Sequence, residues 1–224
     1  MKKWLLPFLI GMMAVLYIFI IPNEPLIVKV IFKLIPMVLI IVYAFKQFSS
    51  RPNASQRLIL TGLFFCMLGD WFITLSFIAG LGAFLVGHLF YLSGFFKAAR
   101  TKKDLFVTLF LIGIYAFSIG NQLISSLLEE GLNQLIIPVI VYMLVISLMA
   151  LSAIRTRNMT AAVGSVLFVL SDSILSWSLF VTSFAYSEVL IMTTYYLAQF
   201  LIASSLSTIT RNPRHSESIL KSSF

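Results

Sequence analysis

The feature that most constrains this chain is an alternation. Apolar runs about as long as a bilayer is thick are broken by short polar segments that carry Lys and Arg only every second time. The runs cover residues 5–21, 26–45, 58–77, 82–97, 105–123, 135–153, 161–182 and 189–207. A helix needs roughly 20 apolar residues to cross the hydrocarbon core, so each run predicts one span. One set of connecting segments holds Lys2 and Lys3; Lys46, Arg51 and Arg57; Lys97, Arg100, Lys102 and Lys103; Arg155 and Arg157; and Arg211, Arg214 and Lys221. The other set, around Asn23 and Glu24, Ala79 and Gly80, Glu129 and Glu130, and Tyr186 to Glu188, has no Lys or Arg. Basic loops stay in the cytoplasm. The pattern therefore predicts a multi-pass protein of the cell membrane with both termini cytoplasmic, and one missed or invented helix would break it.

Composition excludes the alternatives. With 60% apolar and 11% charged residues, the chain cannot coat a soluble domain in polar side chains. The expected fold class is all-α: a polytopic membrane helix bundle of about eight transmembrane helices. It forms one transmembrane domain over residues 1–210, followed by a short basic cytoplasmic tail at 211–224. The net charge of +8 is spread over the loop clusters, which is a topology signal and not a nucleic-acid surface. Met1-Lys2-Lys3 and the run to Ile21 imitate a signal peptide. That run is longer than an h-region and has no small-x-small site before Pro22, so it reads as an uncleaved first helix. Cys66 is the single cysteine, which rules out an intrachain disulfide and reads as a small core residue. The sequence contains no phosphate loop, metal-binding His pair or Gly-x-Ser-x-Gly elbow, and no metal or cofactor is expected.

Two short matches recur at one offset. Leu34-Ile35-Pro36-Met37-Val38 is similar to Ile136-Ile137-Pro138-Val139-Ile140, and Leu68-Gly69-Asp70 to Leu170-Ser171-Asp172. They leave two readings open: a parallel four-plus-four duplication, or coincidence in apolar sequence. A duplication would favour a functional site between the halves. Pro36 and Pro138 are expected to kink their helices. Gly62, Gly69, Gly82, Gly87 and Gly94 are expected to permit close helix contact.

Ionisable residues inside the predicted spans point to the site. Each costs roughly 2.5–3.5 kcal/mol or more at a helix centre, so chains keep them where they pair or act. Lys29 and Lys33 lie in the second predicted helix, Asp70 in the third, His88 in the fourth and Asp172 in the seventh. Lys29 is near enough to the outer boundary to be an interface anchor. The remaining four fall from the midplane to the outer half, as do Tyr195, Tyr196 and Gln199 of the eighth helix. Helical spacing puts His88 with Tyr91, and Tyr195 with Gln199, on shared faces. Thr74 and Ser176 each follow an aspartate by one turn and are candidate lining residues. One polar pocket can hold the whole set. A lone Lys33–aspartate pair would serve packing equally well; two aspartates, a lysine, a histidine and several tyrosines at one depth favour function.

Several of these motifs resemble the YhhN family of membrane lysoplasmalogenases. They are Phe32-Lys33 ahead of a proline, Leu68-Gly69-Asp70, Gly87-His88-Leu89-Phe90-Tyr91, Ser171-Asp172 and Tyr195-Tyr196-Leu197-Ala198-Gln199. The resemblance spans about Lys33 to Ser205, with one departure: Leu34 follows Lys33 where the family often has proline. The resemblance implies a membrane hydrolase that cleaves the vinyl ether of lysoplasmalogen, or a related lysolipid. Its products would be a fatty aldehyde and glycerophospho-ethanolamine or -choline.

The expected roles are catalytic for Asp70, Asp172 and His88, and substrate-binding for Lys33, Tyr91, Tyr195 and Gln199. The expected partners are the lysophospholipid and membrane lipid. The residues suit that chemistry independently. Protonating the β-carbon of a vinyl ether gives an oxocarbenium ion that water captures, and glycosidases meet the same ion with two carboxylates. Two carboxyls close together in a poorly solvated pocket do not both ionise readily, so one pair can supply acid and base. Buried charge at a repeat interface equally fits a small-molecule or proton-coupled transporter, and a lipid-binding protein would need only the pocket. Release of free aldehyde separates these readings.

Overall fold

The computed structural model describes residues 4–22, 24–48, 51–100 and 105–209. Asn23, the expected loop charges Lys2, Lys3, Lys102, Lys103, Arg211, Arg214 and Lys221, and the tail at 211–224 lie outside the described residues. Among the described residues the chain is all-α, with helices α1 (Leu5–Phe19), α2 (Leu26–Lys46), α3 (Ala54–Phe72), α4 (Phe77–Ala98), α5 (Leu105–Glu129), α6 (Ile136–Arg155), α7 (Met159–Phe180) and α8 (Ser187–Ser205). Five stretches, within α2, α4, α5 and α7 and over residues 133–155, are long and apolar enough to cross a membrane. α1 has 15 residues, and α3 and α8 spend part of their length on polar side chains turned into the bundle. The outer surface is what a lipid-facing protein requires: Phe8, Phe19, Ile27, Phe110, Phe117 and Ile137 all stand exposed. The protein is a multi-pass membrane helix bundle.

Helix ends differ from the apolar runs where a capping residue sits inside or beside one. Asn53 and Gln56 form a reciprocal capping box that starts α3 at Ala54, ahead of the run beginning at Leu58. α3 then ends at Phe72, not at Phe77, because the Ser76 hydroxyl accepts from the Ala79 N–H and opens α4 there. A Thr or Ser in an apolar stretch does not interrupt hydropathy, so this tight turn is invisible to it. Pro138 falls in the first turn of α6, where its missing N–H forfeits no helical bond, so the expected kink has no basis there. Pro36 lies well inside α2 and leaves the Phe32 carbonyl without its donor.

The helix pairing has the form of a four-plus-four duplication. α3 runs along α4 as α7 runs along α8, α1 packs on α2 as α5 packs on α6, and the halves exchange partners through α2 on α8 and α6 on α4. Two further matches at the same offset agree with it: Phe8-Leu9-Ile10-Gly11 with Phe110-Leu111-Ile112-Gly113, and Gly62 with Gly164. Gly62 and Gly164 do equivalent jobs. A Cβ on Gly62 would lie 2.9 Å from the Gly87 carbonyl, and one on Gly164 would lie 3.0 Å from the Ala198 carbonyl. Each glycine thus lets its helix approach the next backbone. Gly82, expected to act likewise, faces open space.

Polar ties close the end that carries the basic loops. Gln56 Nε2 donates to the Leu206 carbonyl at 2.7 Å, Asn158 Nδ2 to the Thr208 hydroxyl at 2.7 Å, and the Arg100 amide to the Arg155 carbonyl at 3.0 Å.

Candidate active site

Three helices build the first half of the site. Asp70 of α3 is 2% exposed. One carboxylate oxygen lies 3.5 Å from Lys33 Nζ of α2, and the other accepts from the Tyr195 phenol of α8 at 2.6 Å. Burying a carboxylate without partners would be strongly unfavourable, and the lysine and phenol supply them. Next to the proline gap in α2, the Tyr196 phenol donates to the Lys33 carbonyl at 2.8 Å. That contact fixes the backbone from which the lysine projects.

The second half is assembled the same way from the other repeat. Asp172 of α7 accepts a short hydrogen bond from the Tyr142 phenol of α6, and His88 Nε2 of α4 lies 3.5 Å from the same carboxylate oxygen. Tyr142 and His88 are themselves 3.3 Å apart. The His88 ring packs edge-on against Phe168, with centroids 4.5 Å apart. Its Nδ1 is buried with no hydrogen-bond partner among the described residues. Such an atom is uncommon in a group that serves packing alone.

Tyr142 carries no signal of its own in the sequence, because a tyrosine in an apolar run looks like a packing residue. A signal existed. If α6 serves Asp172 as α2 serves Asp70, α6 must offer a polar group. The position matching Lys33 is Leu135, and Tyr142 is the first polar side chain α6 presents.

Asp70 and Asp172 line one cavity of about 370 Å³, together with Tyr17, Lys33, Tyr195 and Glu188. Lys29 joins Glu188 across its rim at 2.6 Å, so the lysine expected as an interface anchor ties α2 to α8 at the mouth. The cavity lies at the end away from the basic loops. Asp172 also forms the wall of a separate, mainly apolar cavity between α4, α5, α6 and α7.

The other expected site residues sit behind this wall. Tyr91 and Gln199 have no exposed surface and hydrogen-bond each other at 2.6 Å, between α4 and α8. His88 is also fully enclosed, and its link to the chamber runs through Asp172. Ser176 lines the apolar cavity, with its hydroxyl on the Asp172 carbonyl at 2.8 Å. Thr74 falls in the α3–α4 turn, bonded back to Trp71 at 2.6 Å. Among the described residues no group of three or more His, Cys, Asp and Glu side chains gathers as a metal site would need. The arrangement can carry out acid–base chemistry: two carboxyls on one chamber, each gripped by a phenol, with a cation beside one and an imidazole beside the other.

Comparison with known proteins gives a consistent picture. The YhhN family profile matches residues 28–206. The chain is 30% identical over 216 residues to the mouse (Mus musculus) lysoplasmalogenase TMEM86B, covering 95% of this chain and 88% of that protein. It is 25% identical over 206 residues to human (Homo sapiens) lysoplasmalogenase TMEM86B, covering 91% and 86%. With the lysoplasmalogenase of Mycobacterium bovis it shares 29% identity over 156 residues, 66% of this chain and 60% of that one. No solved structure gives a significant match.

Proposed function

This chain belongs to the YhhN family, and on that premise we propose that it hydrolyses the vinyl ether bond of a lysoplasmalogen, with Asp70 and Asp172 as its acid–base pair. The observation that carries the proposal is the shared chamber: carboxyls from α3 and α7 line one cavity whose rim is charged. Protein names alone would not assign these residues, and a pair of buried charges alone would not name the substrate.

The reaction runs in three proton-balanced steps. Asp172, in its protonated form, gives its proton to the β-carbon of the vinyl ether, and the double bond becomes an oxocarbenium ion. Asp70, beside Lys33 and Tyr195, stands as the carboxylate that faces this cation and takes a proton from the attacking water. The resulting hemiacetal collapses when Asp70 returns its proton to the departing glycerol oxygen and Asp172 takes the hydroxyl proton, which restores both groups. Tyr142 and His88 hold Asp172 in position, the imidazole 3.5 Å from its carboxylate. Lys33 serves the substrate phosphate or Asp70. Tyr91 and Gln199 support the site from behind.

The protein is taken to lie in the cell membrane with both termini cytoplasmic and the chamber opening outward. The test is product release. Purified protein and lysoplasmalogen should yield aldehyde and glycerophospho product in equal amounts, and Asp70→Asn and Asp172→Asn should each cut the rate by roughly a hundredfold, the scale of a lost general acid or base. The duplicated bundle with its site between halves also suits a transporter. Substrate moving across proteoliposomes unchanged would put that reading first.

A further inference from the structure

The apolar cavity behind Asp172 does not belong to the charged chamber, and the acid–base chemistry leaves it unused. Its volume is about 70 Å³, and its walls include Phe77, Leu81, Leu123, Ile146, Val169 and Phe180. It touches the chamber along a common wall of Ile73, Phe77, Phe84, Asp172 and Leu175. On its far side it shares Ala116, Met143 and Ser147 with a cleft of about 440 Å³ between α5 and α6. That cleft is lined by Ile112, Gly113, Phe117, Gly120, Leu144 and Leu148, and it carries no charged side chain among the described residues. Several of these residues, Phe117 and Leu144 among them, are exposed on the outer face of the bundle, where lipid lies.

We propose that this path, from Asp172 through the α4–α7 cavity into the α5–α6 cleft, is the binding site for the hydrocarbon chain of the substrate, and that Ala116, Met143 and Ser147 set the chain length accepted. The inference rests on the hydrolase reading. A lysolipid has one charged end and one apolar end, and the vinyl ether lies where they meet. The two cavities have the same division. The chamber has Lys29, Lys33 and Glu188, which match a phosphate and an ammonium; among the described residues the other path carries no charged side chain beyond Asp172 itself, and its walls are apolar apart from a few hydroxyls and the Asn121 amide. Asp172 lines both. Only one orientation puts the charged head in the chamber, the chain in the apolar path and the reacting carbon at a carboxyl.

The path is also an exit. The aldehyde keeps the hydrocarbon chain, so it leaves through the cleft into lipid, while the glycerophospho product leaves through the charged mouth into water.

Apolar binding accumulates at roughly 0.8 kcal/mol for each buried methylene. A side chain that blocks the narrow point should therefore penalise long chains and spare short ones. Ala116→Trp fills the neck, and Gly113→Leu enters the cleft from a position where a Cβ meets nothing within 4 Å. Each should lower the ratio of kcat/KM for a long-chain over a short-chain lysoplasmalogen by at least about tenfold, which corresponds to two methylenes denied burial. Leu111→Trp on the outer face of α5 should leave the ratio alone.

A non-cleavable alkyl-ether lysolipid with a photoreactive group at the chain terminus provides the second readout on native protein, independent of turnover. Labelling within residues 112–124 and 140–151 supports the chain path. Labelling confined to α1, α2 or α8, or an unchanged ratio in both variants, overturns it. If the labelling maps to the cleft but no aldehyde is ever released, the chain path stands and the hydrolase reading falls. If aldehyde forms normally but nothing in the cleft is labelled, the reverse holds.

Discussion

Tyr142→Phe separates a catalytic carboxyl held in place from one merely present. The phenol is bonded to Asp172 and lies 3.3 Å from His88 Nε2, in a part of the bundle where Tyr142 and His88 have almost no exposed surface. Phenylalanine keeps the ring and its packing, with centroids 5.3 Å from the imidazole, and removes only the oxygen. Asp172 becomes charged as it gives up its proton, and a hydrogen bond to a charged group contributes about 1.5–3 kcal/mol. If that contact holds Asp172 at the angle needed to protonate carbon, its loss appears in the chemical step. Converted at about 1.4 kcal/mol per tenfold, kcat should fall roughly ten- to 150-fold with KM little changed. The assay is initial-rate aldehyde release by purified variants of matched folding. Tyr43→Phe is the control; its phenol is 3.4 Å from the Ser204 hydroxyl, ten residues past Lys33 toward the basic-loop end of α2, and its rate should equal native. A Tyr142→Phe variant within about twofold of native would show that Asp172 needs no partner on α6.

Other outcomes follow from the same geometry. Tyr91→Phe leaves Gln199 buried without its partner, and should reduce thermal stability by the equivalent of about 1–3 kcal/mol with KM unmoved; a raised KM at native stability would instead mean that Tyr91 meets substrate. Gly62→Leu and Gly164→Leu should each lower folded yield in membranes, since either side chain would collide with a neighbouring backbone, whereas Gly82→Leu should be tolerated. A Gly62→Leu protein purified at native yield would contradict the close approach of α3 to α4. Reporter fusions after Arg157 should read cytoplasmic and those near Glu130 external, and a cytoplasmic signal at Glu130 would break the eight-span topology.

The fold was legible where physics acts along the chain. The apolar runs located all eight helices among the described residues, because a bilayer demands continuous apolar length. Helix ends were less legible: the Asn53 box and the Ser76 cap are short polar signals that hydropathy averages away. Within the site, Lys33, Asp70, His88 and Asp172 stood out because charge inside a membrane span is costly wherever it lies. Tyr142 did not, since its value depends on Asp172 of the next helix, which packing alone brings to it. The depth argument grouped Tyr195, Tyr91 and Gln199 together, yet only Tyr195 reaches an aspartate directly. Depth along a helix can be counted from residues, whereas rotation about its axis is fixed by packing, here by glycines such as Gly62 and Gly164.

In the proposed reaction a carboxyl protonates carbon and water then attacks the oxocarbenium carbon, and isotopes report both events. Purified protein should be given lysoplasmalogen in D2O, and separately in water enriched in oxygen-18, with both products analysed by mass. One deuterium is expected on the aldehyde carbon next to the carbonyl and no oxygen-18 in the glycerophospho product, because the glycerol oxygen is never exchanged. Oxygen-18 in the glycerophospho product, or no aldehyde from the native protein, would contradict it.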